Sequence, residues 1–275
     1  MSDLTEQCRR DGDFVEGSRL FRAGRYREAY ARMVASAEHG NPLAQFTVGT
    51  MHIDCPDIER DPGKAFAWME RSAEQGYAEA QYQMGNFHYL GYGTDVSYTD
   101  AMSWYMKAAG QDHPQAQNQV GLMYHDGTGV GKDDEAAAEW FERSARNGYS
   151  GAQYNLASLY EMGEGVPLDM EEAFYWYEMA ADQGVTEAQY NLALLYYTGR
   201  GTTKDAKKAA EWYRRAADAG HPEAQYNLGL LYMEGEGVER DYDEAMSLFE
   251  RSAAQGVKDA KDALRLVKET LSRMR

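Results

Sequence analysis

The dipeptide Ala-Gln recurs at Ala44-Gln45, Ala80-Gln81, Ala116-Gln117, Ala152-Gln153, Ala188-Gln189 and Ala224-Gln225, a constant step of 36 residues, with Ala260-Lys261 as a degraded seventh instance. A fixed period of this length means that each unit is one supersecondary element unable to bury its apolar face alone, so neighbouring units must stack. Two more columns keep the step without insertion: Ala29, Ala65, Ala101, Ala137, Ala173, Ala209 and Ala245, then Trp68, Trp104, Trp140, Trp176 and Trp212 with Leu248 in the last place. Six full repeats follow, and they override the two-domain prior that 275 residues would otherwise suggest.

Within one unit, Ala80, Met84, Phe87 and His88 fall on one stripe at helical spacing, which predicts a first helix, A. It closes at a glycine pair, Gly91 and Gly93 here and Gly163 and Gly165 two repeats on, because glycine accepts a left-handed backbone. Asp133, Asp169, Asp205 and Asp241 then stand where a second helix, B, needs its free amides capped. In the repeat from Glu171, helix B buries Ala173, Trp176, Tyr177 and Ala180-Ala181 and stops near Gly184. Gly49, Gly85, Gly121, Ala157, Ala193 and Gly229 are expected to let the A helices approach the alanine columns of the B helices. The tryptophan column reads as core, so that Trp140→Ala would cost ~3 to 5 kcal/mol through its cavity.

The run Ala-Gln-Tyr-Asn-Leu-Gly-Leu-Leu-Tyr-Met-Glu-Gly-Glu-Gly-Val-Glu-Arg-Asp-Tyr-Asp-Glu-Ala, from Ala224 to Ala245, closely resembles the Sel1-like repeat (SLR), a relative of the tetratricopeptide repeat. The resemblance implies an all-α fold, a right-handed α-solenoid superhelix of antiparallel helix pairs, serving as scaffold, adaptor or regulator by binding another polypeptide. Residues 1–43 are expected to form a tetratricopeptide-like N-terminal cap, 44–259 the six SLR units and 260–275 a closing helix carrying Lys258, Lys261, Arg265, Lys268 and Arg273. Cysteine-rich relatives with two cysteines per repeat are set aside, since Cys8 and Cys55 are the only two present.

Forty-five acidic against 28 basic residues give a net charge of -17, which repels phosphate backbones and anionic lipid, so nucleic acid and membrane are not expected partners. No apolar leader or membrane-spanning run is visible, and a cytoplasmic monomer is the expectation. Gly127-Thr128-Gly129-Val130-Gly131 looks like a phosphate loop but follows a helix instead of a strand, and Lys132 is succeeded by Asp133. His52 and His88 share a column with Tyr124, Tyr160, Tyr196 and Tyr232, so they read as structural, and His39, His113, His125 and His221 show no spaced carboxylate companions. No cofactor, metal site or catalytic constellation is assembled, and the chain reads as no enzyme.

At 100° per residue, the face of helix A opposite its buried stripe carries Phe46, Tyr82, Tyr154, Tyr190 and Tyr226, then Tyr89, Glu161, Tyr197 and Met233, with Asn155, Asn191 and Asn227 beside them. Rigid amphipathic aromatics on an outer face suit a binding groove for a protein or peptide, here with a basic or aromatic segment because the flanking charges are acidic. Two alternatives stay open: the tyrosines recur because they pack on a neighbouring helix, or the acidic surface caps a folded enzyme or toxin as an inhibitor or immunity-type protein. On the groove reading, Tyr190→Ala would leave stability nearly unchanged.

Overall fold

The computed structural model describes residues 11–274. They are organised as two compact units, one ending at Asn147 and one beginning at Gly148. The first holds α1 (Gly12–Arg22), α2 (Tyr26–Glu38), α3 (Pro42–Asp54), α4 (Pro62–Glu74), α5 (Ala78–Leu90), α6 (Tyr98–Ala109), α7 (Pro114–Asp126) and α8 (Asp134–Arg146). The second holds α9 (Ser150–Met162), α10 (Met170–Asp182), α11 (Thr186–Thr198), α12 (Ala206–Asp218), α13 (Pro222–Glu234), α14 (Tyr242–Ala254) and α15 (Lys258–Met274). Each unit is a stack of antiparallel helix pairs with no strand among the described residues, which is the all-α solenoid class.

Local chemistry explains the boundaries. In α5, α7, α9, α11 and α13 the A helix ends on a glycine in the left-handed region, as at Gly91 (φ 71°) and Gly199 (φ 75°), whose amide closes back on the last turn, whereas α3 ends at Cys55 in an extended conformation. The Asp133, Asp169, Asp205 and Asp241 carboxylates each accept backbone amides of the following B helix. The Ala-Gln signature has a matching cause. Gln45, Gln81, Gln117, Gln189 and Gln225 are buried, and each donates to the carbonyl of an alanine eight residues back, at 3.0 to 3.2 Å. The side-chain carbonyls of Gln45, Gln81, Gln117 and Gln225 accept from Gln75, Gln111, Asn147 and Gln255, 30 residues on. One amide therefore satisfies the helix end of the preceding pair and ties down the end of its own B helix, so a buried polar group keeps its hydrogen bonds without water.

Two packing expectations need correction. At Gly85, Gly121 and Gly229 the A helix meets the large buried column of the B helix and not the alanine column, whereas Gly49 meets both Met69 and the Ala65 carbonyl: a Cβ on Gly121 would lie 2.7 Å from the Phe141 ring, one on Gly229 2.6 Å from Phe249, and one on Gly85 inside the Tyr105 ring. Tyr105, Phe141, Tyr177, Tyr213 and Phe249 are the deepest aromatics, at most 2% exposed. The tryptophans one position earlier are half-buried except Trp176, and a cation three residues on lies over each of those rings: Arg71 on Trp68, Lys107 on Trp104, Arg143 on Trp140 and Arg215 on Trp212. The tryptophan column is a roofed shoulder of the core, with the true centre shifted by one residue.

Candidate functional site

Of the face residues singled out above, Phe46, Tyr82 and Tyr89 belong to the first unit and the other nine to the second. In the first unit Phe46 rests edge-on against Tyr77 at 5.3 Å, and Tyr82 is stacked on His113 at 4.9 Å. Tyr89 is exposed and meets Tyr98 at 5.2 Å.

The second unit repeats one motif along α9, α11 and α13. Tyr154 leans on Tyr177, Tyr190 on Tyr213 and Tyr226 on Phe249, with ring centroids 5.8 to 5.9 Å apart. Tyr190 is also stacked flat on His221 at 4.5 Å. All three tyrosines are therefore half-buried, and Tyr190→Ala removes real packing, contrary to the expectation of a free side chain. Polar groups lie between the rings. The Tyr177 hydroxyl donates to Glu161 at 3.0 Å, the Asn227 amide donates to the Tyr213 hydroxyl at 3.3 Å, and the Tyr197 hydroxyl donates to Glu236. Asn191 sits against the phenols of Tyr154 and Tyr177, while Asn155 and Met233 are half-buried on α9 and α13. Arg200 reaches Glu161 at 3.5 Å and Lys204 lies over the Tyr197 ring, so the loop after α11 brings two cations to a face that the helices alone leave acidic.

Between α11 and α13 a cavity of about 120 Å³ is lined by Leu194, Tyr197, Tyr213, Asn227, Leu230 and Leu231. Leu194 and Leu230 lie in a column that reads Thr50, Asn86, Leu122 and Ser158 in the earlier repeats, and its turn from mostly polar to leucine in two successive repeats is the sequence signal that marks them. Tyr213 comes from a B helix and is not visible in sequence as a site residue, because its column reads as core in every repeat. A wider groove between α13 and α15, about 590 Å³, brings Tyr226, Leu230 and Met233 opposite Asp259, Asp262 and Leu266.

Burial pushes the phenols of Tyr105, Tyr177 and Tyr213 well above the ordinary tyrosine value, with nearby phenols and, for Tyr177, the Glu161 carboxylate adding to it. A raised phenol favours the neutral form in the folded state. Its contribution is fully present below pH ~10 and is lost as pH rises past that value, where the unfolded chain ionises first. Alkaline titration followed by phenolate absorbance should therefore show these three appearing together with loss of helical circular dichroism. Smooth ionisation of all tyrosines at an ordinary midpoint, with the helices intact, would contradict the assignment.

The histidines acquire carboxylate companions that spacing did not reveal: His113 contacts Glu79 at 2.9 Å from 34 residues away, and His125 contacts Asp134 at 2.9 Å. The hydrogen bond from His113 holds the Glu79 carboxyl below its usual range, against the upward push of burial. His52 is buried between the Tyr30 hydroxyl and the Glu59 carbonyl. No group of three potential ligands that could hold a metal ion is found among the described residues. Cys55 is half-buried with its thiol pushed up by that burial, and Cys8 lies outside the described residues. No helix among the described residues is long and apolar enough to cross a membrane.

The sequence profile of the family described as Sel1 repeat matches residues 42–77, 78–113, 114–149, 150–185, 186–221 and 222–257. Among solved structures, a protective antigen of uropathogenic Escherichia coli strains displaying an SLR fold is 32% identical, with a TM-score of 0.88 over 94% of this chain. The chain spans 56% of the length of that antigen. A Sel1 repeat protein from Oxalobacter formigenes is also 32% identical, with a TM-score of 0.78 over 88% of this chain and 99% of its own. No match was found among curated protein sequences.

Proposed function

The chain belongs to the Sel1 repeat family, whose members generally act by binding other proteins, and on that premise we propose that the face of α9, α11 and α13 is a docking site for a polypeptide. The observation that carries this reading is the cavity between α11 and α13, lined by apolar Leu194 and Leu230 together with polar Asn227 and Tyr213, whose hydroxyl accepts from the Asn227 amide. That combination accepts one apolar side chain and offers a hydrogen bond to the backbone beside it. Tyr154, Tyr190 and Tyr226 flank it as rigid anchors whose rotamers are already held by the rings beneath them, so little entropy is lost on binding. Exposed Glu187, Glu223 and Glu234 border the face, which favours a segment carrying lysine or arginine. The role is that of an adaptor or regulator, with recognition and no chemistry on the bound chain.

Since the tyrosines are also structural, the test uses residues that the repeat itself shows to be replaceable. Leu194→Ser with Leu230→Asn places in these repeats the side chains that Ser158 and Asn86 supply in others, and the helices should remain intact by circular dichroism. Affinity capture from source-cell lysate is expected to lose its specifically bound protein with this variant, by at least about tenfold in recovered amount. Unchanged capture by a folded variant would place binding elsewhere on the chain.

A further inference from the structure

A repeat array keeps its packing columns in every unit, so a position where one unit abandons the column marks a local demand. Helix α10 does so twice. Where the other B helices carry Arg71, Lys107, Arg143, Arg215 and Arg251, α10 carries Met179, and where they carry Ala67, Ser103, Glu139, Glu211 and Ser247 it carries Tyr175. Both substitutes are exposed, Tyr175 at 49% and Met179 at 40%, and Trp176 is covered by Tyr175 instead of by a cation. Exposed Glu171 and Asp182 bracket the pair on the same helical stripe, and no lysine or arginine occurs between Arg146 and Arg200. An apolar centre with acidic ends is thus displayed on α10, away from the tyrosine face.

The second anomaly is α15. It stands in the register of an A helix, yet it has Arg265 in the column of Gly49, Gly85, Gly121, Ala157, Ala193 and Gly229, and Lys268 where the others have histidine or tyrosine. At Gly49, Gly85, Gly121 and Gly229 this side of the A helix receives the large side chain of its own B helix. Here no helix among the described residues covers it, and exposed Lys261, Arg265 and Lys268, with one acid, Glu269, border half-buried Leu264. Arg265 pairs with Asp262 at 3.2 Å and Lys268 with Glu250 at 3.0 Å, both at the surface, where such pairs exchange readily for better ones.

We infer that these two faces are complementary and that α15 of one copy docks on α10 of a second copy of this chain. Helix α10 presents Tyr175 and Met179 between Glu171 and Asp182 on a stripe about 16 Å long, and α15 presents Leu264 among Lys261, Arg265 and Lys268, so apolar groups meet inside charges of opposite sign. Arg265 leaves no seat for the buried aromatic that a glycine in its column receives, so the face suits acidic surface with apolar groups that lie flat against it, as Tyr175 and Met179 are displayed. Helix α10 is the B helix that offers acids and apolar groups with no cation among them. Made reciprocally about a two-fold axis the contact closes a dimer, and made head to tail it extends into a ring or chain; each raises the mass above the 31.0 kDa of one copy.

Sedimentation velocity tests this on the full chain. The wild type is expected to exceed 31.0 kDa at low ionic strength and to fall towards it as salt screens the charged rim. Tyr175→Glu with Met179→Arg restores the residue types of the neighbouring repeats, so it should fold, and it should sediment as one copy. Arg265→Glu with Lys268→Glu, and separately Glu171→Lys with Asp182→Lys, should each sediment as one copy, whereas an equal mixture of those two variants should associate again. A wild type of 31.0 kDa at every salt, association that survives these changes, or a mixture that stays monomeric would overturn the inference.

Discussion

Phe141→Ala is expected to cost ~3 to 5 kcal/mol of stability, against about half that for the adjacent Trp140→Ala. The Phe141 ring is 1% exposed and lies on the Cα of Gly121, so its removal leaves a cavity that two rigid helices cannot collapse around. Trp140 is larger, but one side of it is shared with solvent and with the Arg143 guanidinium 4.7 Å above, so less surface returns to water when it is cut away. Urea unfolding of the two variants, with folded-state helicity matched first, decides the order. A larger loss at Trp140 would mean that the core centre has been assigned to the wrong column.

The second large effect is expected at Gly201. Its φ of 68° already disfavours any side chain, and a Cβ there would be driven into the carbonyl oxygen of Met170 at the start of α10. Gly201→Ala should cost about 3 kcal/mol, combining left-handed backbone strain with a backbone clash. Gly199→Ala, at φ 75° but with only the flexible Lys204 side chain and its backbone at 3.2 Å or more, should cost about 1 kcal/mol. The pair separates two roles that look alike in sequence. The first glycine of each pair closes its own helix. The second lets the loop of one repeat lie on the first turn of the preceding B helix, as Gly237 does on Ala206 and Gly93 on Pro62. Equal losses at Gly199 and Gly201 would show that the inter-repeat joint is looser than the geometry implies.

Much of the candidate face is legible in the sequence, since helical period assigns the side of a helix on which Tyr154, Tyr190 and Tyr226 lie. How far each is free is not legible there. A tyrosine opposite one helix interface can still lie against the aromatic of another helix, as Tyr190 lies on Tyr213 and His221, and nothing in a one-dimensional period reports that neighbour. The same gap explains Trp140 and Phe141. Both fall within the buried arc of helix B, and only the inclination of the A helix decides which of two adjacent side chains points to the centre.

Sequence alone determined the repeat length, the helix boundaries and the fold class, because capping by Asp169, closure by Gly199 and burial at helical spacing are local demands that each segment meets by itself or with its nearest repeat. Only the tertiary structure decided which glycines face rings and which face carbonyls, that His113 finds Glu79, and that Leu194 and Leu230 open onto a shared cavity with Tyr213. Those outcomes depend on the relative translation and tilt of packed helices. These set the distances between side chains that lie a whole repeat apart in the chain, with a precision that no periodicity in the chain encodes.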